Sequence, residues 1–299
     1  MKKSLFFLLL LFALFSRNIY GQTPLWQGNG RIMISSDGNE HDHDDWSATA
    51  LSLAILRANK MQDKLALYVY SNHIWGSNKG RPKTNGLNSY EQMHESALGG
   101  QKWFGFDKTK FVCAVDNAEL AYNAVCAEIN KSSSSNPLFI IEAGPMQVVG
   151  EAISRADKDK LKYVTLITHS NWNNEHSNKP EGKWDIHTGW TFNMIKTKFS
   201  DPETGGLKCL KILDQNGGKD YEGLTCDRTN YDWIKTSPYR NKPPFKEGSW
   251  DWLYSRLETF IECLGGNNFD PSDAGMVVFL LTGIEKTNPD LVRQSMEKQ

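Results

Sequence analysis

Short apolar runs recur along the chain, and each ends in polar residues. Residues 32–34, 64–70, 111–115, 137–145, 163–168 and 209–213 read as strands, since brief apolar segments bounded by turn formers suit strands buried on both faces. Between them, residues 50–56, 90–103, 117–130 and 146–155 carry the spacing of helices. In the segment 117–130 the side chains expected inward are Leu120, Val125 and Ile129. Ser249–Leu264 reads as a further amphipathic helix, and Ala274–Thr282 as an apolar run that ends the core. Strands alternating with helices predict βαβ units and an open, largely parallel α/β sheet flanked by helices. Residues 76–87, rich in Gly, Asn and Lys, predict a surface loop, and 216–244 mostly loop with short helices. No internal repeat or domain boundary is evident, so 22–299 reads as a single α/β domain.

Polar groups after successive strands should gather along one edge of such a sheet, where open α/β sheets bind ligands. The densest group follows the first strand. Asp37, Glu40, Asp42, Asp44 and Asp45 fall within nine residues, with His41 and His43 interleaved. Like charges a few Å apart raise each other's pKa, so a chain that concentrates them there is expected to hold a cation. The plainer alternative is a solvated acidic loop capping the next helix, as an Asp near a helix start suits the dipole. One cap accounts for one Asp, not five. Calcium, which takes six to eight oxygens in irregular geometry, suits this donor set better than magnesium with its strict octahedron. His41 and His43 keep a softer metal open.

Composition narrows the partners. The 299 residues carry a formal net charge of −1, which argues against a nucleic-acid binder. Ten Trp and ten Tyr, set among Asn, Gly and His, suit a carbohydrate surface. Lys2 and Lys3, an apolar stretch over 5–15 and a polar exit at 16–21 have the form of a secretory signal peptide, cleaved near residue 21. The expected location is secreted or periplasmic. No second stretch is apolar enough to span a bilayer. Five cysteines follow the leader, so at least one thiol is free. Cys209 with Cys226 is a plausible bridge, while Cys113 and Cys126 look like buried small hydrophobes.

The chain resembles the inosine-uridine nucleoside hydrolase superfamily, in its diverged, secreted, nucleoside-hydrolase-like branch. Asp37, Asp42, Asp44 and Asp45 resemble the acidic signature after that family's first strand. Residues 138–148 (LFIIEAGPMQV) are similar to its strand and Gly-Pro turn. Thr191-Phe192-Asn193 with Asp201-Pro202-Glu203, and Ser272-Asp273-Ala274, resemble two later segments in the same order. The resemblance implies a nucleoside hydrolase-like, Rossmann-like fold and a calcium-dependent hydrolase of an N- or O-glycosidic bond. By that likeness, Asp37, Asp42, Asp45, Asp273 and the Ala143 carbonyl would hold the ion. Asp37 or Asp42 would be the base that deprotonates an ion-acidified water. Asp44, Asn72 and Asn193 would bind substrate: a small sugar, nucleoside or glycan.

The chain departs from the pattern. An extra residue lies between Asp37 and Asp44, Asn39 stands where a second Asp would follow the first, Thr191 replaces a sugar-binding Glu, and Ser272 replaces a His tied to leaving-group activation. A calcium-containing carbohydrate-binding protein without turnover is therefore the alternative. A third reading starts from His41-Asp42-His43-Asp44-Asp45-Trp46, close to the ligand run of zinc-dependent metallo-β-lactamase-type hydrolases, with His187 a later ligand. Trp46 stands where that run needs its last His. His169, His176 and His187 otherwise read as polar loop residues. The oligomeric state is left open, a homo-oligomer included.

Overall fold

The computed structural model describes residues 23–40, 42–80, 83–176, 189–201 and 206–297. The leader and its cleavage point, His41, His187 and the Pro202-Glu203 pair lie outside these residues. A six-stranded parallel sheet forms the centre: β1 Arg31–Ser36, β2 Leu65–Tyr70, β3 Lys110–Cys113, β4 Leu138–Ala143, β5 Val164–Thr168 and β6 Lys208–Lys211. Their order across the sheet is β3-β2-β1-β4-β5-β6. The chain leaves β1 to build one half outward and returns beside β1 with β4. That reversal opens a crevice beyond the carboxyl ends of β1 and β4, the usual ligand position in open α/β sheets.

The strands are apolar because helices cover both faces. Alternate side chains divide between two cores: Ile32, Ile34, Phe139 and Ile141 face one way, Met33, Leu138, Ile140 and Leu166 the other. On the first face lie α1 (Asp45–Ala58), α2 (Ser89–Phe104), and the later helices Ser249–Leu264, Ala274–Thr282 and Pro289–Met296. Every residue of α1 except Arg57 is buried, because this helix packs between the sheet and those four neighbours. Such enclosure accounts for its unbroken apolar content. On the second face α3 (Ala118–Asn130) packs against α4 (Gln147–Arg155).

Two expectations are corrected. Val125 and Ile129 face inward, but Leu120 is 47% exposed, since it lies in the first turn of α3 and Ala121 and Ala124 take the packed positions. All five cysteines are free thiols, so no Cys209–Cys226 bridge forms; Cys209 is on β6 and Cys226 pairs instead into a short antiparallel ribbon with Phe269. Among the described residues no helix is long and apolar enough to cross a membrane.

Candidate metal centre

Asp37 extends β1 by one rung. Its N–H donates to the Ala143 carbonyl (3.1 Å), and its own carbonyl accepts from Ser71 N–H (3.2 Å). The chain then turns at Gly38, with φ +80°, and a Cβ there would stand 2.7 Å from Met93 Sδ and 3.0 Å from Asp45 Cβ. Only glycine permits that close turn. The turn carries the acidic loop back over the crevice and into α1, whose Trp46 indole N–H donates to Gly38 O (2.7 Å).

Carboxylate oxygens of Asp37, Asp42 and Asp45 lie within 4.8 Å of one another, as do those of Asp44, Asp45 and Asp273. Asp45 belongs to both groups and joins them into one cluster. Residues early and late in the sequence thus meet here. Asp44 and Asp273 occupy the N-cap positions of α1 and of the helix Ala274–Thr282, yet neither side chain caps its helix. The capping alternative fails on that point. Both helix N-termini still direct their positive dipole ends at the carboxylates.

Burial is the first cause that drives these groups toward the neutral form, and neighbouring carboxylates add to it. Asp37 is raised to about 7, with Asp45 and Gly38 hydrogen bonds offsetting part of the effect. Asp42, Asp44 and Asp45 are raised well above the ordinary carboxylate range. Asp45 Oδ1 accepts from the Ser36 hydroxyl, while Oδ2 is buried without a hydrogen-bond partner. An orphaned oxygen inside an all-oxygen cluster of like charge fits a hard divalent cation. Asp37, Asp42, Asp45 and Asp273 could hold it. The Ala143 carbonyl, on the rung beside Asp37, keeps a second lone pair.

The cluster opens into a cleft of about 330 Å³ lined by Asp42, His43, Asp44, His169, Trp172 and Asp270, among others. Trp172 directs its indole N–H at Asp37 Oδ2 (3.4 Å). Ser170, which caps the short helix carrying Trp172, has φ +64°, backbone strain of the kind found at functional sites.

Two residues that the sequence did not single out belong to this centre. His169, at the end of β5, is buried, and its Nε2 lies 2.5 Å from Asp273 Oδ1. Nδ1 has two neighbours: in the neutral Nε2–H tautomer it accepts from Gln215 N–H (3.2 Å), and in the charged ring it faces Asp214 Oδ1 (3.4 Å). Burial opposes a charged ring, but Asp273 and Asp214 outweigh it and hold the pKa up at about 9. In both forms Nε2 carries the proton donated to Asp273. Glu142, the last residue but one of β4, is buried with Oε1 accepting from Ser35 (3.3 Å) and Asn72 (2.7 Å), and Oε2 is orphaned. Burial pushes it well above its ordinary range. The available signal was placement, an acid inside the apolar run LFIIEA and a His at a strand's carboxyl end.

Asn72 therefore serves Glu142 and Ser35, and its Oδ1 is buried and unpartnered. Asn193 is not brought to the cluster. Thr191 caps the helix Phe192–Phe199, whose Phe192 and Ile195 turn inward, so Asn193 is exposed beside Trp190 and Met194. For the zinc reading, His41 and His187 lie outside the described residues, neither carboxylate group includes a His, and Trp46 is a buried residue of α1.

No family model matches the chain. A solved plant nucleoside hydrolase, the PpNRh1 enzyme, aligns with 84% of this chain and 78% of its own at 12% identity, with a TM-score of 0.44. Uncharacterized protein P22 of Formosa agariphila is 31% identical over 261 residues, which is 85% of this chain and 84% of that protein. Identity sustained over that length places the two in one lineage, and the chain belongs to the family of Formosa agariphila protein P22.

Proposed function

We propose that this protein is an exported hydrolase of an N- or O-glycosidic bond that depends on a hard divalent cation, calcium by the character of its donors. The observation that carries the reading is the convergence of Asp37, Asp42, Asp44, Asp45 and Asp273, of which Asp42, Asp44 and Asp273 line a cleft large enough for a sugar. A cation held there supplies Lewis acidity toward water and substrate oxygens. The protein's own groups do the rest. Asp42, on the cleft wall, accepts the proton of the attacking water. Asp44 accepts hydrogen bonds from sugar hydroxyls and fixes the ring for attack at the anomeric carbon. Trp172 offers an indole edge and face beside Asp37. His169 holds Asp273 in place. The departing group leaves with the electrons of the broken anomeric bond.

The test is product release from a panel of nucleosides, aryl glycosides and oligosaccharides, with the purified protein assayed after chelation and after calcium addition. Calcium-dependent turnover that Asp42→Asn lowers by about 10²–10⁴-fold is expected for loss of a general base. Stoichiometric zinc at the carboxylate cluster would overturn the hard-cation assignment. Binding without turnover is favoured by one observation: Thr191 is spent on a helix cap and Asn193 faces outward, so two positions the resemblance would give to sugar contacts do not line the cleft. Calorimetric sugar binding with no product across the panel would select that reading.

A further inference from the structure

A second group of metal-ligating side chains lies away from the carboxylate cluster, at the end of β3. His94 stands on α2, and Cys113 and Asp116 flank the turn that leaves β3. One ligand atom from each lies within 4.8 Å of the others. The His94 tautomer is set by its surroundings. Nδ1 lies 3.2 Å from the Tyr90 carbonyl, which can only accept, so Nδ1 carries the proton and Nε2 presents its lone pair. Nε2 faces Asp116 Oδ2 at 4.0 Å. Asp116 is oriented in turn by the Tyr90 hydroxyl, which donates to Oδ1 (2.7 Å) and Oδ2 (2.8 Å). An outer layer that fixes the His tautomer and aims the carboxylate is the usual support of a metal ligand set. The Cys-x-x-Asp spacing has the reach of a zinc knuckle, and α2 is a firm platform, entered by an Asn88–Glu91 capping box.

We propose that His94, Cys113 and Asp116 form a second cation site, for zinc or a metal of similar softness, with its fourth position open to solvent. The donor set makes the choice. Nitrogen, sulfur and one carboxylate favour zinc over calcium, whereas the all-oxygen cluster favours the reverse. The two centres would sort cations by hardness. On binding, the Cys113 thiol gives its proton to solvent, so affinity rises with pH. His94 and Asp116 are partly exposed, which leaves the metal a path in.

The full-length protein, stripped with chelator, is titrated with cobalt(II) and followed by absorption. A sulfur-to-cobalt charge-transfer band that zinc displaces is expected. Cys113→Ser should abolish the band, and His94→Gln and Asp116→Asn should weaken cobalt binding at least tenfold. Tyr90→Phe, which removes only the hydroxyl, should weaken it by about 10–100-fold. Asp45→Asn should leave the band intact while removing calcium binding, which separates this site from the carboxylate centre. Absence of a sulfur band, a band that survives Cys113→Ser, or cobalt affinity unchanged in folded His94→Gln and Tyr90→Phe would overturn the proposal.

Discussion

Asp45→Asn is the most informative single change, because it should move two measurements in opposite directions. Asp45 is 1% exposed and shares both carboxylate groups. Two unit charges at 4.8 Å, the outer limit of the spacing here, repel by about 3.5 kcal/mol at an effective dielectric constant of about 20. Burial and the neighbouring carboxylates favour the neutral form of Asp45, so about half of that repulsion is taken as its share. The amide keeps an oxygen for the Ser36 hydroxyl and is nearly the same size, so little packing is lost. In chelator the variant should then be more stable than the wild type by about 1.7 kcal/mol, roughly 3–7 °C in a domain of this size. With calcium the order should reverse. A ligand at one hundred times its dissociation constant stabilises the wild type by about 2.7 kcal/mol, and the variant should lose that response. Differential scanning calorimetry in chelator and in excess calcium reads both quantities. A variant less stable than the wild type in chelator, yet still stabilised by calcium, would refute the reasoning about Asp45.

Three further outcomes follow from the structure. Asp37 has a folded-state pKa of about 7 against an ordinary 3.8, so between these values the folded state binds more protons than the unfolded one. Metal-free stability should therefore fall as pH rises from about 4 to 7, by up to about 4 kcal/mol from this group; thermal melts in chelator test the slope, and calcium should flatten it. His169→Leu removes the shorter of two donors to Asp273 Oδ1, leaving Asn173 at 3.4 Å; calcium affinity by calorimetry should drop about 10–100-fold, and an unchanged affinity would dismiss His169 as a positioning residue. Gly150→Ala places a Cβ 2.3 Å from the Trp190 ring carbon Cγ and 2.4 Å from its Cβ, so denaturant unfolding should show a loss of about 1–3 kcal/mol with the carboxylate centre unaffected.

Much of this protein was legible one segment at a time. Apolar runs of strand length alternating with helical patterns carry their own period, and period depends on neighbours a few residues away. The order of elements, the acidic loop after β1 and its passage into an apolar helix were all readable for that reason. The sequence-level expectation that Asp273 joins the early carboxylates needed the resemblance to a known family, since nothing local ties one end of the chain to the other. Even there, only the structure showed that the side chain of Asp273 does not cap its helix but turns to His169, beside the early carboxylates.

What tertiary structure alone decided concerns direction and company. Glu142 looked like one acid in an apolar strand until Asn72 and Ser35 were seen holding it beside Asp37. His169 looked like a loop residue until strand order placed β5 beside β4 and brought its ring to Asp273. Asn193 looked like a sugar ligand until the Thr191 cap set the rotation of its helix and turned it outward. Sequence specifies which residues alternate and where a strand ends. Which strand ends become neighbours, and which way a side chain there points, depends on long-range pairing and burial, whose free energy is realised only when the whole sheet closes around β1.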